Sequence, residues 1–131
     1  MMTREQKRAR FALEKIQSVA SGTDKVKYKT QLLKLPGRLH SNGLGQTVAF
    51  YLSAGKDKPE AKICGWLGEW LKPHVYSKEC FKEGKLICWI TGEGVQAGPD
   101  LDPEDLYRRA SVEARALSLW LKRFAEAFLE E

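Results

Sequence analysis

Apolar residues recur at helical spacing along most of this chain, and breaks in that recurrence divide it into segments. Ala9, Leu13, Ile16 and Ala20 follow one another at steps of three and four, the spacing that places side chains on one face of an α-helix. Thr3, with Gln6 three residues later, matches a capping box at the front of this segment. Ser21, Gly22 and Thr23 interrupt it. Asp24 then stands where it would cap a second helix, whose apolar face is Tyr28, Leu32, Leu35 and Leu39. That face keeps its spacing through Pro36, so the proline predicts a kink or a brief restart, not a full stop.

Asn42 suits the N-cap of a third helix from Gly43 to about Ser53, closed by Gly55. Asp57-Lys58-Pro59-Glu60 opens a fourth, with proline near its first turn. Ile63, Trp66, Leu67, Trp70 and Leu71 supply its buried face, and Pro73 is expected to end it. Residues 78–99 carry the weakest pattern. There "KLICWITG" fits a short strand or a helical turn, and the lack of a visible partner strand favours the turn. Asp102-Pro103-Glu104-Asp105 is the strongest helix start. From it Tyr107, Ala110, Ala114, Leu117, Leu121, Phe124 and Phe128 run to about Leu129, roughly 40 Å at 1.5 Å per residue. Val112, Leu119 and Trp120 add apolar surface off that stripe, which marks a helix central to a bundle or part of an interface. The pattern predicts an all-α fold: a single compact domain over residues 1–131, with five or six helices and a long C-terminal one.

Composition agrees with one soluble globular domain, at 43% hydrophobic and 30% charged residues in 131. No apolar run approaches the roughly 18–20 residues of a membrane span. The first ten residues, MMTREQKRAR, lack the apolar stretch of a signal peptide. A cytoplasmic protein without membrane contact is expected. Cys64, Cys80 and Cys88 are odd in number and show no CxxC spacing, and only His40 and His74 accompany them. Reduced, buried thiols and no metal are the expectation.

The stretch "SNGLGQTVAF" sets two glycines, Gly43 and Gly45, at the start of a helix. A phosphate-cradling loop would need lysine and then Ser/Thr after its last glycine, and neither is in place. A dinucleotide fingerprint would need a small third residue where Val48 stands, and a strand where a helix precedes. At 92–97 "GEGVQA" fits GxGxxA, but Gly98-Pro99-Asp100 follows as a turn where a helix should open. The better reading of "NGLGQT" is a helix junction: Gly43 permits a sharp entry, and Gly45 removes a side chain where another helix approaches. His40 and His74 lack Ser, Cys or Asp neighbours at a suggestive spacing. Glu104 and Asp105 suit a helix N-terminus without any catalytic duty. No catalytic residue, cofactor or small-molecule substrate is expected.

Charge is uneven. Residues 1–40 hold ten Lys/Arg against three Asp/Glu, a balance of +7; residues 41–99 come to +1 and residues 100–131 to −3. Such asymmetry suits a polyanion at one end, or head-to-tail packing with copies or neighbours. On the second helix Lys27, Gln31, Lys34 and Arg38 line up opposite the apolar face; on the first, Arg4, Arg8, Phe11 and Lys15 share a face away from its stripe. Rows of one sign can track phosphates, with Phe11 placed to stack on a base or enter a protein pocket. Plain solvated faces are the other reading.

Two blocks carry a family resemblance. One is Tyr28-Lys29, Leu35-Pro36, then Asn42-Gly43-Leu44 with Gln46-Thr47-Val48-Ala49-Phe50. The other is "YRRASVEARALSLWLKRFAEAFL", with Tyr107, Ala110, Glu113, Trp120, Lys122, Arg123 and Phe124 in matching places. Together they cover nearly half the chain and resemble the small helical subunits of the type III-B CRISPR effector, the Cmr complex; residues 73–100 match nothing. The resemblance implies a non-catalytic subunit in antiviral defence. Its implied partners are the backbone subunit, the large subunit and copies of itself, along the groove holding CRISPR guide RNA paired with target RNA. Target cleavage and cyclic oligonucleotide synthesis would belong to those other subunits. Leu44, Phe50, Tyr107 and Trp120 are then expected in the core, and Glu113 and Arg123 in ion pairs within the bundle or across to a neighbour. Helical spacing, not the family, selects the RNA contacts: Lys27, Lys34 and Arg38 first, then Arg4, Arg8 and Lys15. Phe11, Val112 and Leu119 are the expected protein-interface residues. The competing reading is a free-standing adaptor with no RNA role, binding proteins through Val112, Leu119 and Trp120.

Overall fold

The chain enters its first helix where Thr3 can cap it. In the computed structural model, which describes residues 1–76, 86–92 and 102–129, the Thr3 hydroxyl accepts from the Gln6 amide at 3.1 Å and Gln6 Oε1 accepts from the Thr3 amide at 2.8 Å. That reciprocal box opens α1 (Arg4–Val19). α2 (Lys25–Leu52) follows, then α3 (Pro59–His74), α4 (Leu86–Ile90) and α5 (Pro103–Phe128). No strand occurs among the described residues. None of their helices is long and apolar enough to cross a membrane. α3 starts on Pro59, whose missing amide is no loss in a first turn. α5 is capped by Asp102, which accepts from the Glu104 amide at 3.1 Å. Asp24 departs from expectation. Its backbone (φ −96°, ψ 10°) is not the extended one a capping residue needs, and its carboxylate makes no capping bond; it lies instead 3.8 Å from Lys27 Nζ. Pro73 sits inside the last turn of α3, which closes as Val75 and Tyr76 both donate to the Leu71 carbonyl.

α2 accommodates Pro36 and breaks at Gly43, where φ is +83° and ψ 167°, a region that glycine alone adopts readily. The helix is therefore two arms, 25–42 and 44–52, which makes six helical segments among the described residues. Side chains of the second arm bond back to the first. Thr47 donates to the Arg38 carbonyl at 3.1 Å and Tyr51 to the Gln31 carbonyl at 2.9 Å. At the elbow the Gly45 amide donates to the Tyr107 hydroxyl at 2.9 Å. A Cβ on residue 45 would stand 3.3 Å from both that oxygen and Ile90 Cγ2. "NGLGQT" is a helix junction.

One hydrophobic cluster draws on all five helices: Ala12 and Ile16 from α1, Leu32, Leu35, Leu39, Leu44, Val48 and Tyr51 from α2, Ile63, Leu67 and Leu71 from α3, Leu86 and Trp89 from α4, and Ala110, Ala114, Leu117 and Leu121 from α5. α5 is the common wall, packing on α1, α2 and α3. Tyr28 lies flat on Trp66, with ring centroids 5.4 Å apart. Three expectations change. α1 buries Ala12 and Ile16 fully but Ala9 and Leu13 only partly, so it is rotated toward its basic side. Phe50 is 59% exposed, not core. Phe128, on the last turn of α5, is also exposed, and Leu129 is buried beside it.

Replacing Gly43 by alanine puts a side chain at a φ that L-residues avoid. Gly43→Ala is expected to cost about 1–3 kcal/mol, read as a lowered urea midpoint with unchanged helical content.

Candidate nucleic-acid and subunit interfaces

The basic face of α1 is turned inward, because a carboxylate on α5 draws it there. Glu113 is 6% exposed. It accepts from Arg8 Nε at 2.6 Å and Nη2 at 2.9 Å, from Trp70 Nε1 at 2.9 Å, and from Arg4 Nη1 at 3.5 Å. The Arg8 bond, with help from Trp70, holds the Glu113 carboxyl below its usual range despite burial, and the same bond raises Arg8. Arg8 also donates to Glu5 at 2.8 Å. Lys15 pairs with Glu69 of α3 and lies over the Phe11 ring. Phe11 packs on Trp70 at 5.2 Å. The His74 ring lies 3.8 Å from that of Trp70, tilted by 32°, and burial, then Arg4, lowers its pKa. Arg8 and Lys15 are thus taken up by carboxylates, and Phe11 by the core, while Arg4 stays half exposed and reaches Glu113 at 3.5 Å. The four do not form one exposed row.

α2 is different. Along its 28 residues it carries Lys25, Lys27, Lys29, Lys34 and Arg38 and no Asp or Glu. Lys27 and Lys34 are exposed, while Gln31 and Arg38 are half-buried. Arg38 Nη1 donates to Gln31 Oε1 at 2.7 Å and to the Tyr51 hydroxyl at 3.1 Å. Its guanidinium stands 5.1 Å from the Phe50 ring centroid and 5.3 Å from that of Tyr51. The row therefore ends in a fixed guanidinium at its rim. Burial raises the Tyr51 phenol, which stays a neutral donor and acceptor in this network. Phe50 was missed as a surface residue. Its signal was present, since Leu44, Val48 and Tyr51 already fill the apolar spacing of that arm.

A third surface lies on the outer side of α5. Val112 and Leu119, two turns apart, are 62% and 56% exposed. Beside them Glu5, Ala116, Leu119, Trp120 and Arg123 line an open depression of about 280 Å³. Trp120 is half-buried and tied to α1, donating to Glu5 at 2.6 Å; Arg123 pairs with Glu126 on its own helix. Cys64 is buried against the Val48 carbonyl, and burial pushes its thiol up to about 12. Cys88 is half-buried, and Cys80, like residues 93–101, lies outside the described residues. Among the described residues no three His, Cys, Asp or Glu are grouped to hold a metal ion.

Residues 4–128, spanning all five helices, match the family described as CRISPR-associated protein (Cas_Cmr5). The chain is also 33% identical to the CRISPR system Cmr subunit Cmr5 of Thermus thermophilus, with 100% of both chains covered.

Glu113→Ala is expected to cost roughly 3–5 kcal/mol at pH 7, since it leaves Arg8 beside an apolar gap. The carboxyl's folded pKa lies below its ordinary 4.5, so its contribution is full above that value and fades as pH falls toward the folded one. Urea unfolding of both proteins from pH 7 to 3 should show the gap between them closing below about pH 4.5.

Proposed function

The chain belongs to the Cas_Cmr5 family of CRISPR-associated proteins, and from that premise we propose that it is a non-catalytic small subunit of the type III-B Cmr complex which contacts RNA through α2. One observation carries the RNA reading: α2 holds five cations and no carboxylate, while Arg4, Arg8 and Lys15 of α1 reach Glu113, Glu5 and Glu69. Lys27 and Lys34 stand two turns apart, about 10 Å along the helix axis. Exposed ammonium groups on flexible stems suit phosphate oxygens and need no base sequence. Guide–target pairing does the reading in an RNA-guided assembly, so a subunit that grips backbone alone is sufficient.

Val112 and Leu119 support the second half of the reading. Two large apolar side chains on one outer face of α5 suit a protein contact. In the complex this face would receive a neighbour: the backbone subunit, the large subunit or another copy of this chain. The titratable groups favour a structural part over a catalytic one. Glu113 is committed to Arg8 and Trp70, His74 is stacked on Trp70, and the Cys64 thiol is held protonated.

The assembled complex is the object to test. Lys27→Gln with Lys34→Gln should lower its affinity for target RNA and make the dependence of log K on log salt shallower by about 0.7–0.9 per lost phosphate contact. Arg38 is left unchanged because it holds Tyr51 and Gln31. An unaltered affinity and salt slope, with the variant still incorporated, would remove this face from the RNA path.

A further inference from the structure

Phe50 sits in water although the arm that carries it is otherwise well packed. Leu44, Val48 and Tyr51 on the same arm are 1%, 0% and 0% exposed, against 59% for Phe50. The Arg38 guanidinium stands 5.1 Å from its ring centroid. Arg38 cannot swing freely, because Gln31 Oε1 and the Tyr51 hydroxyl both hold Nη1. Tyr51 is itself anchored on the Gln31 carbonyl and lies 6.1 Å from the Phe50 ring at an interplanar angle of 55°. An exposed aromatic ring is thus backed by an immobilised cation. One turn before Arg38 on the same helix face stands the exposed Lys34.

We propose that Phe50 and Arg38 form a stacking platform for one unpaired nucleobase of the RNA that runs along α2. This deepens the reading given above and rests on it. A base within a duplex has both faces covered by its neighbours, so a single aromatic ring on a protein surface can only take a base that is single-stranded or displaced from the stack. Such stacking is tolerant of base identity, since every base offers a π-face. The chemistry is complementary on both counts: the ring takes the base, and the adjoining Arg38 and Lys34 take the phosphate charge on either side. A carboxylate-free helix favours a polyanion over a protein segment at this spot. The rigidity of Arg38 lowers the entropy lost on binding, because the guanidinium is already in place.

The test uses the reconstituted complex and a target RNA carrying 4-thiouridine, with cross-linked peptides identified by mass spectrometry. The platform requires a cross-link on the peptide containing Phe50. Affinity is measured in parallel for Phe50→Ala, Phe50→Trp and the Lys27→Gln/Lys34→Gln pair over a salt series. Phe50→Ala should weaken RNA binding about 5- to 100-fold at every salt concentration, with the log–log slope unchanged. Phe50→Trp should keep or strengthen binding. If the lysine pair weakens binding while Phe50→Ala does not, the platform is wrong and the phosphate contact stands. If neither changes affinity, both readings fall. Loss of the Phe50→Ala subunit from the complex would make the ring a protein contact and overturn the proposal.

Discussion

Glu113 presents the bundle with a carboxylate that has almost no water around it. A buried charge of this kind is tolerated only with donors brought to it, and neither α5 nor its nearest turns supply them. They come from two other helices: Arg8 on α1 closes on both oxygens, and the Trp70 indole on α3 takes the remaining lone pair of one. The three helices are consequently fixed in rotation and not merely in distance. α1 must show Arg8 to α5, which carries Phe11 onto Trp70 and Lys15 toward Glu69. His74 lies beside the same indole, and burial, then the charge of Arg4, lowers its pKa.

This inward use of charge decides where the molecule is electropositive. The front of the sequence has the greatest excess of Lys and Arg, yet much of the α1 share is cancelled by carboxylates from α1, α3 and α5. α2 is the helix that carries five cations and no Asp or Glu of its own, with Asp24 just before it lying 3.8 Å from Lys27 Nζ. A count of charges along the chain and a map of charges in space give different answers, and the second governs contact with a polyanion.

Most of the fold was legible because local signals agreed with one another. The capping box at Thr3, the N-cap at Asp102, the α2 face from Tyr28 to Leu39, the α3 face from Ile63 to Leu71 and the glycine junction at 43–45 are each set by neighbours within a few residues. The phase of α1 was not. A stripe through Ala9 and Leu13 and one through Ala12 and Ile16 differ by a small rotation, and the group that chooses between them is Glu113, 105 residues away from Arg8. The candidate site was legible to the extent that it depended on helical spacing, as with Lys27 and Lys34. Arg38 is held by Tyr51 from the returning arm, a partner that helical spacing within the first arm does not reveal. Asp24 failed as a cap because its own backbone, not its side-chain type, was wrong for it.

The elbow of α2 also behaves as a ruler. The rungs from Thr47 to Arg38 and from Tyr51 to Gln31 span nine and twenty residues, and both close only if the chain between them has one particular length. Each added or deleted residue in an α-helix turns everything beyond it by about 100°. An indel between 38 and 47 would therefore uncouple both rungs at once and carry the Phe50 ring off Arg38. The hairpin inside α2 has no latitude in length. Its residue count is as much a part of the surface as the side chains that it displays.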